Sequence, residues 1–357
     1  MHLRSLARSV SSSLAPLLFA LAASSAGCEH QAPPQASGSA AAALAPNPTS
    51  AASETPLAPT KQHDRAAQAG FYRSRVGSVE LTVLSDGTFP LDVDHGLALN
   101  AKPGEIDQLL AGSAQTSPIA ASFNEFLLAL NGHLALIDVG AAQNMGPTAG
   151  KLAFSLENAG VLPADISDIF LTHVHPDHAG GLVVDGKRAF PNATLHLDVK
   201  DLEYWTDPAR AAKATGMAAT FFAAARAALE PYVSADRVKT FSGETELLPG
   251  FRAEPAYGHT PGHVLYTLES EGQKLVFLGD MIHIPAVQFA DPNVAVAFDV
   301  DPALAVEARK RTLKEVADRG YLVAHNHVAF PGLGHVLHDG ESYRWVPAPY
   351  VNDAAAK

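Results

Sequence analysis

The chain has 357 residues, 47% of them hydrophobic and 17% charged, enough apolar content to bury the core of one large or two ordinary domains. Its formal charge of −12 at pH 7 argues against nucleic acid or an anionic membrane face as a partner. The only cysteine is Cys28, which excludes an internal disulfide and a metal site with a thiolate ligand in the folded part.

In chain order, Arg4 and Arg8 precede an apolar stretch from Leu14 to Ala23 and the small residues Ser24 to Gly27. That is the layout of a secretory signal peptide over residues 1–27, and its apolar core is too short for the ~20 residues of a spanning helix. Cys28 follows Ala26-Gly27 in the manner of a bacterial lipoprotein cleavage site, so a lipid anchor at Cys28 stands beside a plain cut near Ala26. Both readings place the mature protein in the periplasm or outside the cell. Loss of residues 1–27 removes two arginines and no acid, which takes the charge from −12 to −14. Residues 28–68, rich in Ala, Pro and Ser and without apolar periodicity, read as a disordered linker. The folded domain is then 69–357.

Val79 to Leu84 alternates as a strand, with Asp86-Gly87-Thr88 as its turn. Phe123 to Leu130 and His133 to Val139 form a hairpin closed by Asn131-Gly132. Residues 148–160 have helical spacing and stop at Gly160. Ile166 to Thr172 is a short buried strand, and Thr194 to Leu197 another. Residues 198–232 read as helical, most clearly over 217–229. Strands return at Phe251 to Ala256, Val264 to Leu268 and Lys274 to Leu278; a helix at Pro302 to Arg319 and a strand at Tyr321 to Ala324 follow. Two batches of strands, each closed by helices, indicate mixed αβ layers. The segment Gly87 to Ala121 has no motif and is placed near a pocket mouth or a subunit contact.

The chemistry concentrates in His173-Val174-His175-Pro176-Asp177-His178. On extended backbone, residues i and i+2 share a face, so His173 and His175 can aim at one ion. Asp177 and His178 enter a turn before Gly180-Gly181 and can aim at a second point. Imidazoles with carboxylates suit Zn2+ and its borderline neighbours. His259, in Gly258-His259-Thr260-Pro261-Gly262-His263, can complete the first site, with His263 behind it. Asp280 ends a predicted strand, and its two oxygens can bridge two cations. The last ligand comes from His325-Asn326-His327, and spacing alone does not choose between the two histidines. His2, His30 and His63 lie outside the fold; His95, His133, His196 and His338 read as surface or satisfied.

Together these motifs resemble the metallo-β-lactamase-fold hydrolases over residues 71–350. Within them the chain is most similar to the methyl parathion hydrolase group, near the quorum-quenching lactonases. Phe190-Pro191-Asn192-Ala193, Tyr204-Trp205, Phe241-Ser242-Gly243, Ala286 to Phe289 with Asp291-Pro292, and Phe330 to His335 carry that likeness. The resemblance implies an α+β, four-layer αββα sandwich. It also implies His173, His175 and His259 on one metal, Asp177, His178 and His327 on the other, and Asp280 between them. In the group the last ligand stands three residues before Phe-Pro-Gly, which selects His327. Trp205 and Phe222 match its aromatic pocket positions, whereas Met145 stands where an aromatic is expected.

The expected activity is hydrolysis of a small molecule, a lactone, aryl ester or organophosphate triester, by a hydroxide bridging two divalent ions, Zn2+ by default. Asp177 is expected to move a proton as the intermediate collapses. His283, three residues after Asp280, is expected to donate a hydrogen bond to a substrate oxygen. A homodimer and the lipid anchor are the remaining partner expectations. Thioester or β-lactam hydrolysis is the alternative on the same site. A mononuclear iron thiol dioxygenase stands further off, because it has no use for seven ligands.

Overall fold

The computed structural model describes residues 68–94 and 96–351. The expected signal peptide, Cys28 and nearly all of the expected linker lie outside these residues. The chain enters through β1 (Phe71–Val76) and β2 (Val79–Leu91), then β3 (Ala98–Leu99) and α1 (Glu105–Gly112), and returns as β4 (Ile119–Leu130) and β5 (His133–Ile137). Next come α2 (Leu152–Asn158), β6 (Asp168–Phe170) and the one-turn α3 (Pro176–Ala179). A small ribbon, β7 (Val183–Val184) with β8 (Lys187–Arg188), leads to β9 (Thr194–Asp198). Helices α4 (Val199–Thr206), α5 (Pro208–Ala211) and α6 (Gly216–Val233) precede β10 (Val238–Phe241).

The second half runs β11 (Thr245–Leu248), β12 (Phe251–Pro255), β13 (Val264–Ser270) and β14 (Gln273–Phe277). After α7 (Pro285–Gln288) and β15 (Ala295–Val296) comes α8 (Pro302–Arg319). The last strands are β16 (Leu322–Ala324), β17 (Leu333–Asp339) and β18 (Ser342–Pro347). Among the described residues these strands form two seven-stranded sheets, ordered β1-β2-β4-β5-β6-β9-β10 and β11-β12-β13-β14-β16-β17-β18, beside the two-stranded pairs β15-β3 and β7-β8. No described helix is long and apolar enough to cross a membrane.

Three cores separate four layers, as the αββα expectation requires. Phe126, Leu128 and Phe170 of the first sheet pack on Phe251, Tyr266 and Phe277 of the second. On the outer face of the first sheet, Leu127, Leu136 and Ile169 pack on Leu156, Trp205, Phe222 and Leu229 of α2, α4 and α6. On the outer face of the second, Leu265, Val276 and Val323 pack on Ala308, Leu313 and Val316 of α8. Central strands are therefore buried on both faces, which is why Phe126 to Leu130 reads as a continuous apolar run rather than an alternating one. The start of α8 is set by Asp301, whose carboxylate accepts from Leu304 N at 3.0 Å, with Pro302 next in line.

Three expectations shift. The turn at Asp86-Gly87-Thr88 is instead a bulge within β2, where the pairing with β4 slips between Ser85 and Gly87. The Asp86 carboxylate turns inward and accepts from Ala141 N, Gly150 N and Leu152 N. The helix expected over 198–232 is broken into three, because Asp207 caps a new start at Pro208. The helix expected over 148–160 narrows to α2.

Candidate metal centre

The loops that leave β5 and β6 in one sheet and β14 and β16 in the other meet at one edge of the sandwich. Backbone after β6 stays extended through His175 (φ −94, ψ 161), and Pro176 then opens α3. That switch turns Asp177 and His178 away from the direction of His173 and His175. Asp201 of α4 locks the loop from below: one oxygen accepts from Val174 N at 2.9 Å and the other from Gly262 N at 2.7 Å. It thereby ties the first histidine loop to the loop that carries His259. Burial pushes the Asp201 carboxyl up to about 6. Gly181 allows α3 to lie directly on the strand-end loop after β5: a Cβ there would stand 1.8 Å from Val139 O.

Two ligand sets form, His173/His175/His259/Asp280 and Asp177/His178/Asp280/His327, and within each the donor atoms all lie within 4.8 Å of one another. In the first, His259 Nε2 is 2.9 Å from His175 Nδ1 and 3.2 Å from Asp280 Oδ2, and His173 Nε2 is 3.5 Å from the same oxygen. In the second, His178 Nε2 and His327 Nε2 each lie 2.9 Å from Asp280 Oδ1 and 3.4 Å apart. Asp177 Oδ2 is 3.7 Å from the former and 3.6 Å from the latter. Asp280 thus turns one oxygen to each set.

The surroundings decide which imidazole nitrogens carry hydrogen. His178 Nδ1 donates to Asp138 Oδ2 at 2.8 Å, His259 Nδ1 to Asp299 Oδ1 at 2.8 Å, and His327 Nδ1 to Ser122 O at 2.9 Å. Thr172 Oγ1 gives its only hydrogen to Asp138 Oδ2, so it accepts from His173 Nδ1 at 3.0 Å. Each of these bonds leaves Nε2 as a lone pair. Lone pairs therefore converge on two points beside a carboxylate. Asp280 Oδ1, buried between two of them, accepts a hydrogen bond from neither, and His173 Nε2 is likewise buried without a partner. Such an arrangement is repulsive unless protons or metal cations lie between the donors, and four donors converging around a shared carboxylate fit divalent metal ions.

Without metal, the same carboxylates draw protons onto the nitrogens that would face the ions. Burial opposes the imidazolium at His259, but hydrogen bonds to Asp280 and Asp299 outweigh it and lift the group to about 9. His178 and His327 are raised in the same way by the surrounding carboxylates against burial. Asp280 is held well below the carboxylate range, its burial outweighed by His178 and His327. His173 and His175 are lowered by burial and by their neighbours.

All seven residues expected as ligands are brought together. His325, the alternative to His327, lies outside both sets; it is fully buried, and its Nδ1 accepts from His327 N at 3.0 Å. His263 accepts from Asp280 N through Nε2 at 3.0 Å and donates through Nδ1 to Ala256 O. An apolar cavity of about 170 Å3 opens over the centre, walled by Phe89, Leu91, Met145, Met217, Phe221 and Phe298, with Asp177, Asp280, His283 and His327 at its base. Phe89, Leu91 and Ala121 come from the segment Gly87 to Ala121, which therefore does reach the pocket.

Two expectations need correction. Trp205 and Phe222 do not line the cavity; they are packed into the core beneath it, ring centroids 4.9 Å apart. Successive helix residues point about 100° apart, so it is Phe221 that faces the cavity, 4.9 Å from the His175 ring. His283 lines the cavity, but its donor is committed: Nε2 lies 2.9 Å from Asp280 Oδ2. With Nε2 donating there, Nδ1 is left as an acceptor, so the ring holds the shared carboxylate instead of donating to a substrate oxygen.

Asp138, Asp299, Asn124 and Asp201 were missed by the sequence reading. Asp138 accepts four hydrogen bonds, from Thr172 N, Thr172 Oγ1, His178 Nδ1 and Asn326 Nδ2. Asn124 fastens the last histidine loop by donating to His325 O and Val328 O. The available signal for Asp138 was its place at the end of a predicted strand, before Gly140.

A family model for the metallo-beta-lactamase superfamily matches residues 124–327. A comparison with curated proteins finds no match. Among solved structures, the chain is similar to AbOPH, a hydrolase in the beta lactamase superfamily, with 34% identity over 80% of this chain and 100% of that one and a TM-score of 0.75. It is also similar to AidC, a dizinc quorum-quenching lactonase in complex with a homoserine product, with 28% identity over 79% and 99% of the two chains and a TM-score of 0.72. A probable metal-dependent hydrolase from Staphylococcus aureus shares the fold at 19% identity, 78% and 100% coverage and a TM-score of 0.63.

Proposed function

Because the chain belongs to the metallo-beta-lactamase superfamily and is a metal-dependent hydrolase, we propose that it binds two divalent ions and hydrolyses neutral lactones and esters, with organophosphate triesters as further substrates. The observation that carries this reading is the shared carboxylate: Asp280 offers one oxygen to each of two converging ligand sets. His173, His175 and His259 would hold one ion, and Asp177, His178 and His327 the other. Two such ions would supply an activated hydroxide and stabilise the charge that develops on the attacked oxygen.

The residues of the chain do the rest. Phe221, Met217, Phe298 and Met145 exclude water and hold an apolar acyl or aryl group over the centre. Asp177, partly exposed to the cavity, receives a proton and returns it to the departing oxygen. His283 and His263 fix the side chain and the backbone of Asp280. Among the described residues no Lys or Arg lines the cavity, so no basic side chain there meets the carboxylate of a β-lactam; this favours uncharged substrates. AidC, as a dizinc lactonase, supports the lactone over the phosphotriester. Export under the signal at residues 1–27 belongs to the same proposal, checked by the mass of the processed N-terminus.

The test is a rate comparison on the full chain loaded with Zn2+ or Mn2+, with metal content measured in parallel. An acyl-homoserine lactone, a neutral aryl ester and methyl parathion are offered side by side. Two ions per chain and turnover of the lactone or ester support the proposal. Two ions with silence on all three substrates would sink the substrate class, and one ion per chain would sink the dinuclear reading.

A further inference from the structure

Arg309 sits in the middle of α8 with its side chain 1% exposed. A guanidinium so deeply buried is costly unless every donor is engaged. Three of its five N–H groups are bonded: Nε donates to Met281 O at 2.6 Å, and Nη1 donates to Pro292 O and Val294 O at 3.2 and 2.9 Å. Nη2 faces Asp299 Oδ2 at 3.8 Å. Asp299, itself fully buried, accepts from His259 Nδ1 through its other oxygen and from Val296 N through Oδ2. Met281 directly follows Asp280. One side chain thus fastens both ends of the segment from Met281 to Asp299, the segment that carries His283 and Phe298.

We propose that Arg309 is a positioning residue for the first ligand set, acting through Asp299 on His259 and through the Met281 carbonyl on the turn that holds Asp280. This rests on the metal-hydrolase reading above. Asp299 is a buried carboxylate bonded to His259 and Val296 N; Arg309 adds a cation 3.8 Å from Oδ2 and anchors the segment that carries Asp299, so Asp299 stays in place to hold His259. Without the fork, Asp299 loses its buried cationic neighbour and the segment 281–299 loses three of its anchors. A lysine at this position keeps the charge but cannot reach three carbonyls at once.

The experiment measures Zn2+ affinity of the full chain by competition with a chromophoric chelator, alongside thermal unfolding. Arg309→Met is expected to weaken one Zn2+ step by about 10- to 100-fold, with Arg309→Lys between it and the wild type. Leu313→Ala removes packing from the same helix without touching Asp299; it is expected to lower Tm and leave the Zn2+ steps unchanged. Wild-type affinity in Arg309→Met, or an equal loss in Leu313→Ala, overturns the proposal. If Arg309→Met yields no folded protein, wild-type affinity in Arg309→Lys overturns it. A wild-type chain that takes up only one Zn2+ would count against the two-ion reading, and the comparison of variants would then be made on that ion.

Discussion

Gly181→Ala is a small change with a large expected effect. The added methyl would stand 1.8 Å from Val139 O, and real Cβ contacts essentially never fall under 3.0 Å, so backbone must yield by about 1.2 Å. The two segments are tied by Gly181 N to Gly140 O at 2.9 Å and by Val139 N to His178 O at 2.8 Å. Separating them by that distance breaks both bonds, at about 1 kcal/mol each, and adds overpacking of about 1–3 kcal/mol. A loss of about 3–5 kcal/mol follows, which for a large domain lowers Tm by roughly 6–20 °C. The displaced element is α3, which carries Asp177 and His178. A shift of about 1 Å at the chemistry can cost about 100-fold in rate, so kcat should fall well beyond what lost stability explains. Calorimetry and initial rates at saturating Zn2+ check this, well below the variant's Tm. A variant with wild-type Tm and kcat would refute the close-approach argument altogether.

Phe221→Ala should raise KM for a long-chain ester or lactone and leave Tm nearly unchanged, because the ring faces the cavity; Phe222→Ala, a buried core truncation, should cost about 3–5 kcal/mol in a denaturant titration. Zn2+ affinity should rise with pH toward about 9, where His259 gives up its proton, because metal must displace the protons that the carboxylates hold on His259, His178 and His327; proton release on titration with Zn2+ reads it directly, and a pH-independent affinity would contradict it. Asp168 joins His133 at 2.6 Å and His196 at 2.7 Å; burial opposes its charge, yet hydrogen bonds to His196 and His133 hold the carboxyl well below the usual range. A depressed carboxylate stabilises the fold above its unfolded value of about 4, and that contribution is lost as pH falls toward the folded value. Asp168→Asn should therefore lower Tm at pH 7, with the gap closing under acid; an equal gap at pH 7 and pH 3 would contradict this.

What the sequence made legible follows from the range of the interaction that carries it. His173 to His178 is local: extended backbone, a proline and a helical turn lie within six residues, so the direction of each side chain can be argued from neighbours. Asp280 and His259 were recognisable at strand ends once that cluster was seen. Asp138 and Asp299 each act on a histidine 40 residues away in sequence, and no spacing announces a lone carboxylate of that kind. Trp205 and Phe222 show the other limit. Helical periodicity located the aromatic stretch, but one residue of phase separates core from cavity, and phase depends on how α6 docks on α4. The breaks in 198–232 and the bulge at Asp86 come from a cap and from a side chain turning inward, both of which override a smooth apolar period.

Each ligand set takes two residues from the first sheet's loops and two from the second's. His173 and His175 meet His259 and Asp280; Asp177 and His178 meet Asp280 and His327. Neither half of the sandwich therefore supplies four donors to an ion by itself. The seam must close, with Asn124 of β4 reaching the loop after β16, before any cation finds four donors. A full set of four donors is on this account a property of the closed seam, shared between the two halves and complete in neither.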